Sequence, residues 1–389
     1  MNNSQFKIPN KLTTISLILI VIGIGAAVFG FINNPLRTWA NYLICNYFFI
    51  SLVIGATFFA ALQRIAQAGW SAMFERIPSA MSCYLPYAAG FTLVLILFGS
   101  HHLYQWMNSD LLKTDELLRH KSAFLNSTFF SIRAVIILGS WIFFTRLLRK
   151  FSLTEDQVGG TENFKKSEFF SRVYLFVLAL TFSLASYDWI MSIDYHWFST
   201  LFTIVNLVSS FFHGSASVVL IVLLLHKMGY FPKLNHAHLR DLSKYMFMLS
   251  IMFGYVWFSQ YFLTWYSNIP EETTYYMIRT NSEWHLTFIS TIVFNWLFPF
   301  LFLLNNKIAE NVNAMILTAV VLMVGFWIDI YMQVMPGVTG HNSIGFIELG
   351  MFLGFLGVFI FVVAKSLSKA NIIPVNHPYL NESFSHKSH

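Results

Sequence analysis

The chain has 389 residues, of which 56% are apolar, 18% aromatic and only 11% charged, against roughly 25% charged in an ordinary soluble domain. A water-soluble fold of this length cannot hide so much apolar surface in one core, whereas lipid tails accept it. The net charge of +6 would suggest nucleic acid in a soluble protein and is explained here by membrane orientation.

The segment from Met1 to Lys11 is polar, and the apolar run after it lacks a small-residue cleavage site, so that run is read as a retained first span. A segment of about 20 apolar residues crosses the roughly 30 Å of hydrocarbon. Ten such segments occur, near 12–33, 38–63, 80–103, 126–147, 169–192, 198–226, 244–267, 283–305, 312–335 and 343–365. No Pro/Ser/Gly-rich linker divides them, so residues 1–389 are read as one multi-pass, all-α membrane domain. The longest hydrophilic loops, about 104–125 and 148–168, are too short to fold as domains. Soluble chemistry is therefore expected on partner subunits.

An even number of spans puts both termini on one side. The opposite face carries only Arg37, Lys113, Arg119, Lys121 and Arg279, Arg133 falls inside a span, and the remaining 18 of the 24 Lys and Arg lie on the terminal face. This bias places both termini in the cytoplasm. Cys45 and Cys83 sit in apolar runs, with no CxxCH and no cysteine cluster. Neither a metal nor a redox cofactor of the chain's own is expected.

Charges at membrane depth cost several kcal/mol and ask for a reason. Arg133 in the fourth span, Asp188 in the fifth, Asp329 in the ninth and Glu348 in the tenth are such charges, with His213 in the sixth span and His285 at the start of the eighth as titratable companions. All but His213 fall in the outer half of the bilayer. They are read as candidates for a proton path, with Arg133 as the charge partner of one acid; packing and interhelical hydrogen bonds are the alternative. Only His213 is deep, which argues against a bis-histidine haem.

The densest polar stretch, Ser186 to Thr200, joins the fifth and sixth spans at the outer surface by a tight turn, with Trp189, Tyr195 and Trp197 placed as interfacial anchors. Asp194 and His196 alone make a poor metal site. Together with Trp197, and with Glu271 and Glu272 in a later outer loop, they are read as partner-docking candidates. Tyr84–Trp106 and Tyr245–Trp265 share a faint pattern, suggesting that a four-helix unit is repeated.

Three segments carry a resemblance: Asp188-Trp189-Ile190-Met191-Ser192-Ile193-Asp194 with His196-Trp197-Phe198-Ser199-Thr200; Trp265-Tyr266-Ser267-Asn268-Ile269-Pro270-Glu271-Glu272-Thr273; and Asn295-Trp296-Leu297-Phe298-Pro299-Phe300. Through them the chain resembles the second, smaller of the two NrfD-like (polysulfide-reductase-type) membrane subunits of bacterial alternative complex III, a quinol:cytochrome c or other high-potential acceptor oxidoreductase. The resemblance runs over nearly the whole chain. It implies two four-helix bundles plus two further helices, residence in the bacterial inner membrane, and a paralogous NrfD-like partner. It further implies periplasmic iron–sulfur and c-type haem subunits on the outer face, a terminal oxidase in some assemblies, and quinone or menaquinone in the complex.

The leading expectation is a membrane subunit without its own redox cofactor, supporting assembly and proton movement coupled to quinol oxidation. A true quinone-binding subunit is the alternative. A secondary transporter is a further one, although the chain lacks the matched pair of Gly/Pro-broken helices usual there.

Overall fold

A computed structural model describes residues 5–387. Ten helical elements are long and apolar enough to cross a membrane: Asn10–Asn33, Pro35–Ile65, Gly69–Leu103, Ser127–Val158, Glu162–Trp189, Thr200–Lys227, His236–Ser267, His285–Leu303, Val312–Val338 and Phe346–Leu367. They are called the first to tenth spans. The protein is thus an all-helical, multi-pass membrane protein.

Several helices run further than their apolar segments. The fourth span was expected to end at 147 and continues to Val158, the fifth begins at Glu162 instead of 169, and the seventh at His236 instead of 244. A helix of 32 residues is about 48 Å long, well beyond the hydrocarbon. These extensions project from the terminal face, where packing against one another and Asn caps replace lipid as the stabilising partner. Asn235, for example, accepts the backbone N–H of His238 at the start of the seventh span.

The second to fifth spans pack as one group and the sixth to ninth as another, while the first pairs with the tenth along the flank of the second. Each group is four consecutive spans, the period suggested by the faint match of the third and seventh. The groups meet where the second span crosses the sixth. There Ser51-x-x-x-Gly55 faces Ser210-x-x-x-Gly214, and the Ser210 hydroxyl donates to the Ser51 carbonyl at 2.7 Å. A Cβ at Gly55 would stand 1.8 Å from the Ser210 carbonyl oxygen, and one at Gly214 would stand 2.4 Å from the Gly55 carbonyl carbon. Without a hydrophobic drive between helices in lipid, small residues at close approach supply the packing. The second span is the hub, with 89% of its apolar window buried against 22% in the first.

The first and tenth spans use the same device. Gly23 meets Gly354, and Ala26 meets Gly350. The third and eighth spans each contain one π-helical turn, Leu95–Gly99 and Val293–Leu297. Such turns mark an inserted residue in an α-helix and gather at functional sites.

Past the tenth span the chain folds back over the inner face as a strap. Asn371 bridges to Gln5 near the other terminus, Val375 N–H donates to Asp156 at 2.9 Å, Tyr379 hydroxyl donates to Gln67 at 3.0 Å, and His386 lies 2.6 Å from Asp241. His377, in the strap, turns its side chain inward, leaving it 8% exposed. Its Nδ1 accepts from the Tyr379 backbone N–H at 3.2 Å, leaving Nε2 to carry the proton toward Glu75, 3.1 Å away. Burial lowers its pKa from 6.5 to about 4; Glu155 pulls the other way, and Arg64 and Arg76 push with the burial.

A detached strap therefore binds one more proton than a docked one between these values. Docking is strongest above 6.5 and weakens toward 4, by about 1.4 kcal/mol per pH unit. Proteolysis of residues 372–387 is expected to be faster at about pH 5 than at neutral pH, and His377→Gln is expected to flatten that difference.

Candidate functional site

Three arginine–carboxylate pairs line the outer ends of the helices. Arg133 donates to both oxygens of Asp188, at 2.6 and 2.9 Å, and to the Phe124 carbonyl at 3.0 Å, while its guanidinium lies 3.9 Å from the Phe124 ring centre. Arg37 donates to both oxygens of Glu348, at 2.7 and 2.6 Å; Asn41 and the Gly345 backbone N–H add two more bonds at 2.7 and 2.8 Å. Arg279 donates to Asp194 at 2.8 Å and to the Met332 and Gln333 carbonyls. The first two are fork-to-fork pairs, a strong geometry for a buried carboxylate, whereas Arg279 meets Asp194 through one bond.

The pairs change the reading of several residues. With four donors on its carboxylate, Glu348 is a clamp between the second and tenth spans and has no lone pair directed to a relay. Asp188 is a clamp between the fourth and fifth. Asp194 and Trp197, read as docking residues, hold the outer loops together: Trp197 is buried and stacks on Tyr275 with ring centres 3.9 Å apart. His196, exposed, pairs with Asp115 at 2.9 Å. Glu271 and Glu272 stand in the first turn of the short helix Pro270–Arg279, where the helix dipole favours acids. His285 is exposed at the first residue of its span and belongs to no buried cluster.

Besides the Arg133–Asp188 pair, two more of the titratable groups read from the sequence, Asp329 and His213, come together through Ser209. His213 stacks on Phe326 with centres 4.3 Å apart, near the middle of the sixth span. Its Nδ1 faces the Ser209 carbonyl at 2.7 Å and the Ser209 hydroxyl at 3.3 Å, and its Nε2 faces the Asn295 side-chain oxygen at 2.9 Å. Asn295 sits in the π-helical turn of the eighth span, and its amide N–H donates to the Gly325 carbonyl at 3.0 Å. That bond fixes which end of the amide faces the ring. The neutral imidazole protonated on Nε2 donates to Asn295 and accepts from the Ser209 hydroxyl at Nδ1, whereas the doubly protonated ring donates from both nitrogens, so both protonation states find partners here.

On the other side, the Ser209 hydroxyl lies 3.5 Å from Asp329 Oδ2, at the outer limit of a hydrogen bond. Gln333 donates to the same oxygen at 3.2 Å. Among the described residues no cation is salt-bridged to Asp329, which is 3% exposed. A hydroxyl able to donate one way and accept the other joins the carboxylate to the imidazole.

Asp329 also borders a cavity of about 40 Å³ together with Asn206, Gln260, Thr291, Gln333 and Arg279. The Gln260 amide nitrogen and the Gln333 side-chain oxygen are buried there without a partner in the protein. These polar groups, set among apolar side chains such as Phe202, Trp257 and Phe288, and this much room suit a few water molecules. Asn206 accepts from the Tyr47 hydroxyl at 3.3 Å, and Tyr47 lies 3.4 Å from the Ser186 hydroxyl, so the polar contacts cross into the first bundle.

Ser209, Asn295, Gln333 and the cavity wall were not read from the sequence. Ser209 stands one helical turn before His213, a spacing visible in the sequence, whereas Asn295, in the π-helical turn, lies 82 positions from the ring it faces.

The fold and these contacts define a class: a ten-span membrane protein built from two apposed four-helix groups, with a buried acid–hydroxyl–imidazole chain in the second. Neither a known protein-family model nor a curated protein matches the chain. No group of three or more metal-ligating side chains occurs among the described residues.

Proposed function

We propose that this chain is a proton-transferring membrane subunit of a bacterial respiratory quinol:cytochrome c (or other high-potential acceptor) oxidoreductase of the alternative complex III type, in the inner membrane beside a paralogous NrfD-like subunit. The observation that carries the proton-transfer part is the Asp329–Ser209–His213 chain beside a cavity that holds two unpartnered amide groups. A carboxylate without a countercharge at membrane depth is costly as mere structure, and a hydroxyl-linked imidazole gives its proton somewhere to go. The assignment to a quinol-oxidising complex rests on the sequence motifs. In it the outer clamps position the loops facing periplasmic subunits, and electrons stay on those partners.

Asp329→Asn, which keeps the shape and removes the proton acceptor, tests the reading in the assembled complex with quinol oxidation and proton release recorded together. The expected result is an intact complex that still oxidises quinol with fewer protons released per quinol. An unchanged proton ratio removes Asp329 from any path, and loss of oxidation in the assembled complex supports a quinol site at the cavity instead.

A further inference from the structure

The inner end of the first bundle gathers a second set of charges, from residues that the sequence places in loops. Arg64 donates to the Glu75 carboxylate and to the Ser167 hydroxyl. Ser152 donates to the same Glu75 oxygen at 2.7 Å, and Arg76 donates to Asp156 at 2.5 Å and to the Ser152 carbonyl at 3.1 Å. Glu155, 2% exposed, lies within electrostatic reach of His377, Arg64, Arg76 and Asp156. Neither of its carboxylate oxygens has a hydrogen-bond partner in the protein, and Arg76 Nε and Nη1 are equally without one. A buried carboxylate left so is expensive unless water completes its bonding.

Two cavities adjoin this cluster. One, of about 30 Å³, is lined by Gln63, Gln67, Ser71, His377 and Tyr379 and is walled by the strap. The other, of about 40 Å³, is lined by Thr57, Arg149, Ser152 and Ser171 and lies within the bundle. Arg64 and Glu75 line both, so their ion pair is the partition between them. The Ser171 hydroxyl, on the wall of the inner chamber, is fully buried and unpartnered. Deeper in the bundle the Thr57 and Tyr174 hydroxyls meet at 2.7 Å.

We infer that this cluster is a hydrated proton-loading site opening on the inner face, with Glu155 as the group that holds the proton, the Arg64–Glu75 pair as the partition, and the strap as its outer wall. Glu155 itself lines neither cavity, whereas Ser152, about one helical turn before it, and His377 do; a proton from bulk water on that side reaches the Glu155 carboxylate past these two residues, and bulk water replaces it. The inference deepens the proton-transfer reading by naming a place of uptake, and it rests on that reading only for the proton's later use.

Infrared difference spectroscopy of the full-length protein in lipid discs, titrated with acid in H₂O and D₂O, tests it. The expected result is a protonated-carboxyl band that shifts on deuteration, disappears in Glu155→Gln and persists in Asp329→Asn. A band unaffected by Glu155→Gln, or one that does not shift in D₂O, makes the cluster a sealed ionic staple and overturns the inference. Should Glu155→Gln fail to fold, Ser171→Cys replaces one hydroxyl by a thiol. Its modification by a small charged thiol reagent from the inner face, above the background of Cys45 and Cys83, is expected; complete protection overturns the inference. Because the band is read without quinol turnover, this site and the Asp329 relay can fail independently.

Discussion

Arg133→Leu is expected to destabilise the protein by about 3–5 kcal/mol, the cost of stranding a buried charge. Asp188 is fully buried and takes its two charge-assisted bonds from this one guanidinium. With stabilities of about 5–15 kcal/mol, such a loss appears as a large drop in thermal midpoint and in the yield of monodisperse protein. Asp188→Asn keeps one acceptor for the guanidinium and should cost less. The double variant Arg133→Leu/Asp188→Leu is the discriminating one: replacing a whole buried pair by apolar groups is often neutral, so it should recover much of the loss. A double variant as unstable as the single would mean that the Phe124 contacts of Arg133 matter more than its charge.

Gly55→Leu should be as damaging for a different reason. The ideal Cβ alone would lie 1.8 Å from the Ser210 carbonyl oxygen, and backbone cannot swing aside as a long side chain can. Overpacking typically costs about 1–3 kcal/mol, and a leucine at a backbone–backbone crossing exceeds that range. The two bundles are expected to part along the second and sixth spans, read as faster proteolysis between the groups and loss of the folded peak in size-exclusion chromatography. Gly25 has no heavy atom within 4 Å of its ideal Cβ, so Gly25→Ala is the control. It should be neutral or stabilising by up to about 1 kcal/mol, the helix-propensity gain. Equal damage at both glycines would remove close packing as the cause.

Hydropathy made the ten spans legible because lipid imposes one length on every crossing helix, and the uneven Lys and Arg distribution oriented them. What hydropathy does not mark is where a helix stops once it has left the lipid. Glu155 was read as a loop residue for that reason, although Thr145, Ser152 and Glu155 continue the buried face of Ala134, Ile137, Leu138 and Trp141 at helical spacing. That periodicity was available in the sequence. The individual buried charges were also legible, since each is anomalous in an apolar run. Their roles were not, because a clamp and a relay look alike until partners are known. Glu348 is separated from Arg37 by 311 positions, and no local pattern joins them. Trp197 reads in the sequence as an interfacial anchor and docking residue because aromatic residues gather at membrane boundaries; the Tyr275 ring against which it stacks comes from the distant short helix Pro270–Arg279.

The glycine seam between the first and tenth spans also bears on how the molecule is made. Synthesis delivers the first helix with few contacts of its own, and the surface that receives it appears only with the tenth span. Until Gly350 and Gly354 arrive, the notch formed by Gly23 and Ala26 is open to lipid or to another chain. Closing that seam joins the first of the ten spans to the tenth and completes the circuit of helices around the second. Quality control that senses an unlatched first span would thereby report on whether all ten spans have been inserted.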